Sequence, residues 1–371
     1  MLVHKQELES LQSKIERGEQ LISGLGDEEE RWKVSLLDLN VENTNLTGDS
    51  ILAAAFMSYC GPFSSDYRED LAKAWLKKIK VEKVPHTEDF EFSEFLAGKA
   101  VARQWQVDGL PTDDFSTENG VFVTKGLRWA LNIDPQTQAN KWIKKMVGDS
   151  LHIADAKDKN FVQKIEHAVV KGQTILLQDV EEDIDPSLDN ILNKAWVPIR
   201  QGSSKFTVKL GDREIEYNKR FQLYITTRMS NPHYTPEVST KVAVVNFTVK
   251  ESGLEEQCLG IVVKSEQPNL ENNKNDMVKK IADSKQMLIT LEDEILKRLQ
   301  DSDVNLLEDA TLISRLNESK TTSDTVKTAL DGAEIAMKRI DDTRETFRQC
   351  GRKAATLFFV LNDLNKINPM Y

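Results

Sequence analysis

The chain has 371 residues, of which 39% are hydrophobic and 29% charged, and its formal net charge at pH 7 is −11. That length predicts two or three structural units. The negative charge disfavours nucleic acid as a partner, because surfaces that bind DNA or RNA are basic. No apolar run approaches the roughly eighteen residues that cross a bilayer, so we expect no membrane partner. Three widely spaced cysteines and five scattered histidines argue against a disulfide framework and against a metal site.

Residues 1–39 carry apolar side chains at alternating intervals of three and four, which is typical of a heptad-like helix. These side chains are Leu8, Leu11, Ile15, Ile22, Leu25, Trp32 and Leu36. Gly18 and Glu29 interrupt the pattern and weaken its middle. A lone amphipathic helix has the same periodicity, so the pattern alone leaves open whether a partner helix exists.

Residues 40–264 alternate between apolar, β-rich runs and helical patterns. Strands are predicted at residues 174–178, 220–227 and 241–249. Helices are predicted at residues 51–59, 67–80, 135–147, 160–170 and 186–195. Two of the strands have consecutive apolar residues, as expected when both faces of a sheet are covered. This alternation predicts an α/β layered domain with a mostly parallel sheet.

Residues 266–349 show two runs of heptads separated by a polar break at residues 301–309. Two heptad helices joined by a short polar segment are expected to fold back into an antiparallel coiled-coil hairpin. The predicted core of this hairpin contains Leu288, Leu291, Ile295, Val326, Leu330 and Ile340. The alternative is two ordinary helices packed on the α/β domain, and the unbroken second register favours the hairpin.

A weak phosphate-loop pattern, GxxxxGK[ST], lies at residues 109–116 after a stretch at 104–107 that resembles a strand. Gly109 and Ser116 match the first and last positions of that pattern. Asp114 replaces the second glycine and Phe115 replaces the lysine, so the loop would repel phosphate. The match predicts a degenerate nucleotide-binding loop at most, and a simple turn is the favoured interpretation.

A second partial motif follows the predicted strand at residues 174–178, where Asp179 stands at the metal-binding position of a Walker B strand. Glu181 is out of phase with the catalytic glutamate, because neighbouring residues of a strand point to opposite faces. A solvated acidic turn is the favoured interpretation. No nucleophile–base set is present, so the sequence predicts no catalytic residues.

Longer motifs lie at residues 45–67 (NLTGDSILAAAFMSYCGPFSSDY), 105–120 (WQVDGLPTDDFSTENG), 129–143 (WALNIDPQTQANKWI), 221–234 (FQLYITTRMSNPHY) and 253–263 (GLEEQCLGIVV). These motifs resemble the dynein heavy-chain family, and in particular its fifth AAA+ module. The closing LFFVLNDLNKINPMY is similar to the entry of the sixth module. The resemblance covers nearly the whole chain in family order.

The resemblance implies an α/β fold of the AAA+ (P-loop NTPase-like) class with a projecting antiparallel coiled-coil hairpin. Residues 1–39 would be the end of the returning stalk helix and residues 40–264 the fifth module. Residues 266–349 would be the buttress, or strut, and residues 350–371 the start of the sixth module. We therefore expect the chain to be a segment of a longer polypeptide.

The function implied by the resemblance is mechanical. In this family the fifth module is a structural member of the ring that does not turn over nucleotide, so no cofactor is expected in this segment, and ATP with Mg²⁺ serves the parent motor. The module would relay ring movements through the buttress to the microtubule-binding stalk of a minus-end-directed motor.

The implied partners are neighbouring AAA+ modules, the stalk coiled coil, microtubules through the parent motor, and dynein intermediate and light chains. The wording NPHYTPE at residues 231–237 is closer to ciliary than to cytoplasmic dyneins, which predicts the axoneme of a cilium or flagellum as the location, with the cytoplasm as the alternative.

Two other functions stay open. A regulatory nucleotide-binding module would use Gly109, Ser116 and Asp179. A freestanding scaffold protein would use the hairpin to bind another coiled coil.

Overall fold

The computed structural model describes residues 2–200, 205–268 and 342–367, together with isolated positions between 286 and 338. The chain divides into two compact units. The first unit consists of residues 1–43 and 258–353, and the second consists of residues 44–257 and 354–371.

The helices of the described residues are labelled in chain order: α1 (Leu2–Tyr59), α2 (Ser65–Val81), α3 (Phe92–Val107), α4 (Asp114–Lys125), α5 (Gln138–Val147), α6 (Phe161–Lys171), α7 (Asp189–Leu192), α8 (Pro236–Lys241), α9 (Glu251–Glu266) and α10 (Arg348–Ile367). The strands are β1 (Ala130–Ile133), β2 (Leu151–Asp155), β3 (Thr174–Gln178), β4 (Val197–Pro198), β5 (Phe206–Leu210), β6 (Arg213–Tyr217), β7 (Gln222–Thr227) and β8 (Ala243–Asn246). Two 3₁₀ turns lie at Gly148–Ser150 and Pro186–Leu188.

The second unit is built on a five-stranded sheet with the strand order β2-β3-β7-β1-β8. Every neighbouring pair in this sheet is parallel. A smaller antiparallel sheet, β4-β5-β6, lies between β3 and β7 in the sequence. The loops that follow β1, β3, β7 and β8 therefore meet at the carboxyl edge of the large sheet, where open α/β sheets bind their ligands.

Both faces of the large sheet are covered, which explains the consecutive apolar residues of its strands. In β3, Ile175 and Leu177 pack into the core on one face, and Leu176 packs into the core on the other. In β1, Leu131 packs into the core on the first face and Ala130 into the core on the second. The predicted α/β class with a mostly parallel sheet is confirmed.

The predicted strands at 174–178, 220–227 and 241–249 correspond to β3, β7 and β8, although β8 is shorter because α8 extends to Lys241. The helix predicted at 186–195 is only a 3₁₀ turn followed by the four residues of α7. The short strands β1 and β2 were not predicted from the sequence, and neither was the antiparallel sheet.

The prediction that residues 104–107 resemble a strand is wrong, because these residues form the last turn of α3. The backbone N–H of Asp108 donates to the carbonyl of Gln104 at 2.9 Å, which is the helical pattern. Trp105 of this helix is buried in the core. Four residues are too few for alternation to separate a strand from a helix.

The predicted helices at 1–39 and 51–59 belong to one continuous helix, α1. Of the predicted hairpin core, Leu291, Ile295 and Val326 are buried and helical. Leu288, Leu330 and Ile340 lie outside the described residues. The antiparallel pairing of the hairpin stays a prediction.

Candidate functional site

The loop between β1 and α5 holds the position that a phosphate-binding loop takes in this topology, directly after an inner strand of the parallel sheet and before a helix. Counted from the end of the strand, Asp134 and Ala139 fall on the two glycines of GxxxxGK[ST]. Asn140 falls on the lysine, and Lys141 on the serine or threonine. Every key position of the motif therefore carries a different residue type.

The carboxylate of Asp134 is bound by the backbone amides at the start of α5. Its Oδ1 accepts from the N–H of Gln138 at 2.7 Å, and its Oδ2 accepts from the N–H of Asn140 at 2.8 Å. Amides in this position, at the positive end of the helix dipole, are those that cradle phosphate in a functional loop. The chain supplies its own anion to them.

Asp134 is deeply buried, with 1% of its surface exposed. Burial raises the pKa of this carboxyl, while the amides of Asn140, Gln138 and Ala139 and the charge of Lys141 act in the opposite direction. The amides bind an oxygen acceptor in either protonation state. A phosphate group would have to displace a side chain that is tethered at the same place.

Helix α5 is fixed in position by its apolar face. Ala139, Trp142 and Ile143 are each 0% exposed and belong to the core on one face of the sheet. The ring of Trp142 packs against Trp105 in an edge-to-face arrangement with 6.1 Å between the ring centroids. The amides at the start of the helix are therefore held rigidly beside the end of β1.

A second neutralised group lies at the same edge of the sheet, after β3. Asp179, at the Walker B position, has a left-handed backbone with φ of 59° and is 16% exposed at the side chain. Arg228, directly after β7, donates from Nε and Nη2 to the two oxygens of this carboxylate. The hydrogen bonds and charge of Asp179 raise the pKa of Arg228. A guanidinium therefore occupies the oxygens with which a Walker B aspartate binds Mg²⁺.

Glu181 does not join Asp179 at this position. Its carboxylate is exposed and forms an ion pair with Lys157 at 3.3 Å. The next residue, Glu182, accepts a hydrogen bond from the backbone N–H of His233 at 2.8 Å. Both glutamates are thus engaged on the surface of the turn.

The loop at 109–116 follows helix α3 and ends in helix α4, so it lacks the strand that precedes a phosphate loop. Asp113 caps α4, accepting from the backbone N–H and the hydroxyl of Ser116 at 2.9 and 3.0 Å. Asp114 is exposed in the first turn. The ring of Phe115 packs against the guanidinium carbon of Arg68, which lies 4.2 Å from the ring centroid. Gly109 has a left-handed backbone, with φ of 101°.

The structure brings the start of α4 and the start of α5 to one cleft of about 400 Å³. The cleft is lined by Asp113, Asp114, Gln138, Lys250 and Glu256, among others. Its one lysine is already paired with Asp66, while three carboxylates face the cleft. The negative charge of this cleft does not fit a nucleotide with its phosphates. The amides bound by Asp134 and the Asp179 carboxylate bound by Arg228 do not fit phosphate and Mg²⁺ either. Among the described residues, no group of three His, Cys, Asp or Glu side chains could hold a metal ion.

Asp134 and Arg228 were missed from the sequence. The available signals were an apolar run ending in Asp134, and an arginine directly after the predicted strand at 220–227. Neither signal identifies a site residue until the strand order is known, because the strand order determines which loops meet at the carboxyl edge of the sheet.

Comparison with known proteins gives two family matches. Residues 103–326 match the family described as the ATP-binding dynein motor region, and residues 1–79 match the microtubule-binding stalk of the dynein motor. The chain is 47% identical, over 98% of its length, to a dynein-1-beta heavy chain of the flagellar inner arm I1 complex from Chlamydomonas reinhardtii. It is 45% identical to dynein axonemal heavy chain 2 of Mus musculus over 98% of its length, and of Homo sapiens over 97%. The chain spans only 8% of the length of each of these relatives.

Proposed function

The chain belongs to the dynein heavy-chain family, and from this membership we propose that it is a structural, non-hydrolysing AAA+ module of a ciliary dynein motor. In this proposal residues 1–39 end the stalk, residues 40–264 form the fifth module, residues 266–349 form the buttress and residues 350–371 begin the sixth module. The names of the similar proteins support a place in the axoneme of a cilium or flagellum.

The non-hydrolysing role is supported by one observation: side chains of the module itself occupy the groups that would bind phosphate and Mg²⁺. Asp134 takes the amides that would bind phosphate, and Arg228 takes the carboxylate of Asp179 that would bind Mg²⁺. Both contacts form within the module and need no ligand. Nucleotide is therefore not needed to satisfy either the amides or the carboxylate.

A module of this kind acts as a rigid member of the motor ring. ATP with Mg²⁺ is bound and hydrolysed at other modules, and the resulting ring movement displaces this module as a body. The buttress then pushes or pulls on the stalk, which changes the grip on the microtubule. Neighbouring AAA+ modules and the stalk are direct partners, and intermediate and light chains belong to the complete complex.

Exposed apolar side chains on α1 support a partner for this helix. Ile15, Ile22 and Leu36 are 60%, 74% and 59% exposed, and they fall on one heptad register. Solvent-facing isoleucines at coiled-coil spacing are expected to be covered by a second helix. The match of residues 1–79 to the dynein stalk makes the other stalk helix the proposed partner.

The experiment that tests the mechanical role uses the buried residues of the proposed buttress. Leu291→Ala and Ile295→Ala, made in the motor heavy chain, remove side chains that are 4% and 0% exposed. We expect ATP hydrolysis to continue while microtubule affinity stops responding to nucleotide. Leu296→Ala is the matched control, because Leu296 is 41% exposed on the same segment. Loss of hydrolysis in a folded motor would contradict a purely mechanical role.

A further inference from the structure

The C-terminal part of α1 is held by a close backbone approach at Gly48. A Cβ on Gly48 would lie 2.1 Å from the carbonyl oxygen of Pro85 and 3.0 Å from the Cβ of His86. Only glycine lets the helix pass at this distance. The next residue, Asp49, is 4% exposed and accepts from the backbone N–H and the hydroxyl of Thr87, at 2.9 and 2.7 Å.

The end of α1 is held a second time by Arg68 of α2, which is 1% exposed. Its guanidinium donates to the carbonyl oxygens of Cys60 and Gly61 at 2.9 and 3.0 Å. It also donates to Glu118 and Asn119 of α4, at 2.9 and 2.7 Å. A planar fork with several donors can reach these four acceptors together, and an ammonium group cannot.

The same network reaches the edge strand of the large sheet. The side-chain amide of Asn119 donates to the carbonyl of Asn246 at 2.8 Å, and the backbone N–H of Asn246 donates to the carbonyl of Gly61 at 3.0 Å. A Cβ on Gly61 would lie 2.5 Å from the carbonyl oxygen of Val244. Close backbone contact and hydrogen bonds thus join the end of α1 to β8.

We propose that these contacts form a register lock, in which the end of α1 moves with the sheet as one body and does not slide along its own axis. A shift of one residue moves a helix by about 1.5 Å and turns it by about 100°. It would place Thr47 or Asp49, each with a Cβ, opposite Pro85. The hydrogen bonds of Asp49 to Thr87 would be lost in the same step.

This inference deepens the proposed function and rests on it for its mechanical consequence. If α1 is the end of the stalk, sliding between the two stalk helices has to be taken up by the partner helix or by the part of α1 that precedes Gly48. Arg68 is then a positioning residue, since it contacts the end of the helix and touches no nucleotide or microtubule.

The test compares two lesions of the lock with two matched controls in the motor heavy chain. Gly48→Ala breaks the close approach, and Gly26→Ala on the same helix is its control, since a Cβ at Gly26 meets nothing within 4 Å. The double variant Arg68→Met/Glu118→Gln removes the guanidinium without stranding a buried carboxylate. Arg128→Met is its control, because Arg128 is exposed and donates to the carbonyls of residues 239 and 240.

Two readouts separate this inference from the proposed function. Hydrogen exchange of the amides of residues 44–60 should become about tenfold faster in both lock variants and stay unchanged in both controls. The nucleotide-dependent change in microtubule affinity should shrink by about fivefold or more in the same two variants. Thermal unfolding checks that each variant is folded.

Faster exchange with unchanged coupling would overturn the register lock, since a merely structural contact gives only local loosening. Lock variants that behave like their controls in both measurements would overturn it as well. A wild-type motor whose microtubule affinity ignores nucleotide would instead refute the proposed function, and the exchange measurement would then report only whether these contacts hold the end of α1.

Discussion

Two segments of the chain can be compared with a phosphate loop, one by its residue types and the other by its place in the fold, and they differ in what precedes them. The segment at 109–116 keeps the first glycine and the last serine, but it follows helix α3. The segment at 134–141 matches none of the key residue types, yet it follows β1, an inner strand of the parallel sheet, and leads into α5. The second segment holds the position of a phosphate loop, so the setting in the sheet is more informative than the residue match.

The two segments also use a carboxylate differently at a helix start. Asp113 caps α4 from a half-buried position, and Asp134 is enclosed at the start of α5. Only the second carboxylate replaces a ligand, because only its amides lie after a strand at the carboxyl edge of a parallel sheet. Substitutions at the two segments therefore test whether the place in the sheet or the residue match decides the role of each carboxylate.

Removing the buried carboxylate should have the largest effect. Asp134→Ala leaves the amides of Gln138, Ala139 and Asn140 without their acceptor in a buried site. We expect the free energy of unfolding to fall by about 3 kcal/mol, because unsatisfied buried donors are costly. Chemical denaturation measures this. A loss as small as that of a surface substitution would show that water replaces the carboxylate freely.

The corresponding change at the other segment should be smaller. Asp113→Ala removes a helix cap that accepts from the backbone N–H and the hydroxyl of Ser116, and we expect a loss of about 1 kcal/mol in the free energy of unfolding. The same denaturation series provides the measurement. An equal loss for Asp113→Ala and Asp134→Ala would remove the distinction between a cap and a ligand substitute.

A pH series should show a smaller effect with a defined sign. Because burial raises the pKa of Asp134 in the folded state, the folded chain holds this proton at a pH where the unfolded chain has lost it. The contribution of Asp134 is therefore fully present below the ordinary aspartate pKa of about 4, and it falls as pH rises through the folded pKa.

Asp134→Asn serves as the reference that does not titrate. The stability of the native chain relative to this variant should decrease as the pH rises above the ordinary aspartate pKa of about 4. Denaturation midpoints of the two proteins across a pH series give the result. A relative stability that increases with pH would mean that the amide hydrogen bonds outweigh burial.

Completing the motif at the first segment should have no effect on ligand binding. Asp114→Gly with Phe115→Lys turns residues 109–116 into a full GxxxxGKS pattern. We expect no nucleotide binding, because no strand precedes the loop and Asp113 still holds Ser116. Fluorescence titration with a labelled ADP checks this, with circular dichroism as the control for folding. Saturable binding by this variant would show that the pattern alone is sufficient.

Much of the fold could be predicted from the sequence, because apolar runs mark strands locally. The site could not, because it depends on residues that lie far apart along the chain. The run at 174–178 has consecutive apolar residues and the run at 220–227 has alternating ones, so β3 and β7 could be predicted locally. Strand β1 is only four residues long and includes a polar residue, Asn132, whose side-chain amide donates to the carbonyl of Ile225 at 3.0 Å. Its burial depends on a partner that lies far along the chain.

The site depends even more on distant pairs. Asp179 and Arg228 meet only because β3 and β7 are neighbours in the sheet. Asp134 could be recognised as a ligand substitute only once β1 was seen to be an inner strand, between β7 and β8. The helix predicted at 135–147 corresponds to α5, which begins at Gln138. The sequence did not show that the first amides of this helix bind the carboxylate of Asp134.

The most direct test of the central claim is calorimetric titration of the native 371-residue chain with MgADP and MgATP. Circular dichroism and sedimentation first establish that the chain is a folded monomer. We expect no binding of either nucleotide, because Asp134 accepts from the amides that would bind phosphate and Arg228 is paired with the carboxylate that would bind Mg²⁺. Tight, saturable binding of one nucleotide per chain would contradict it and would make this module a regulatory nucleotide site.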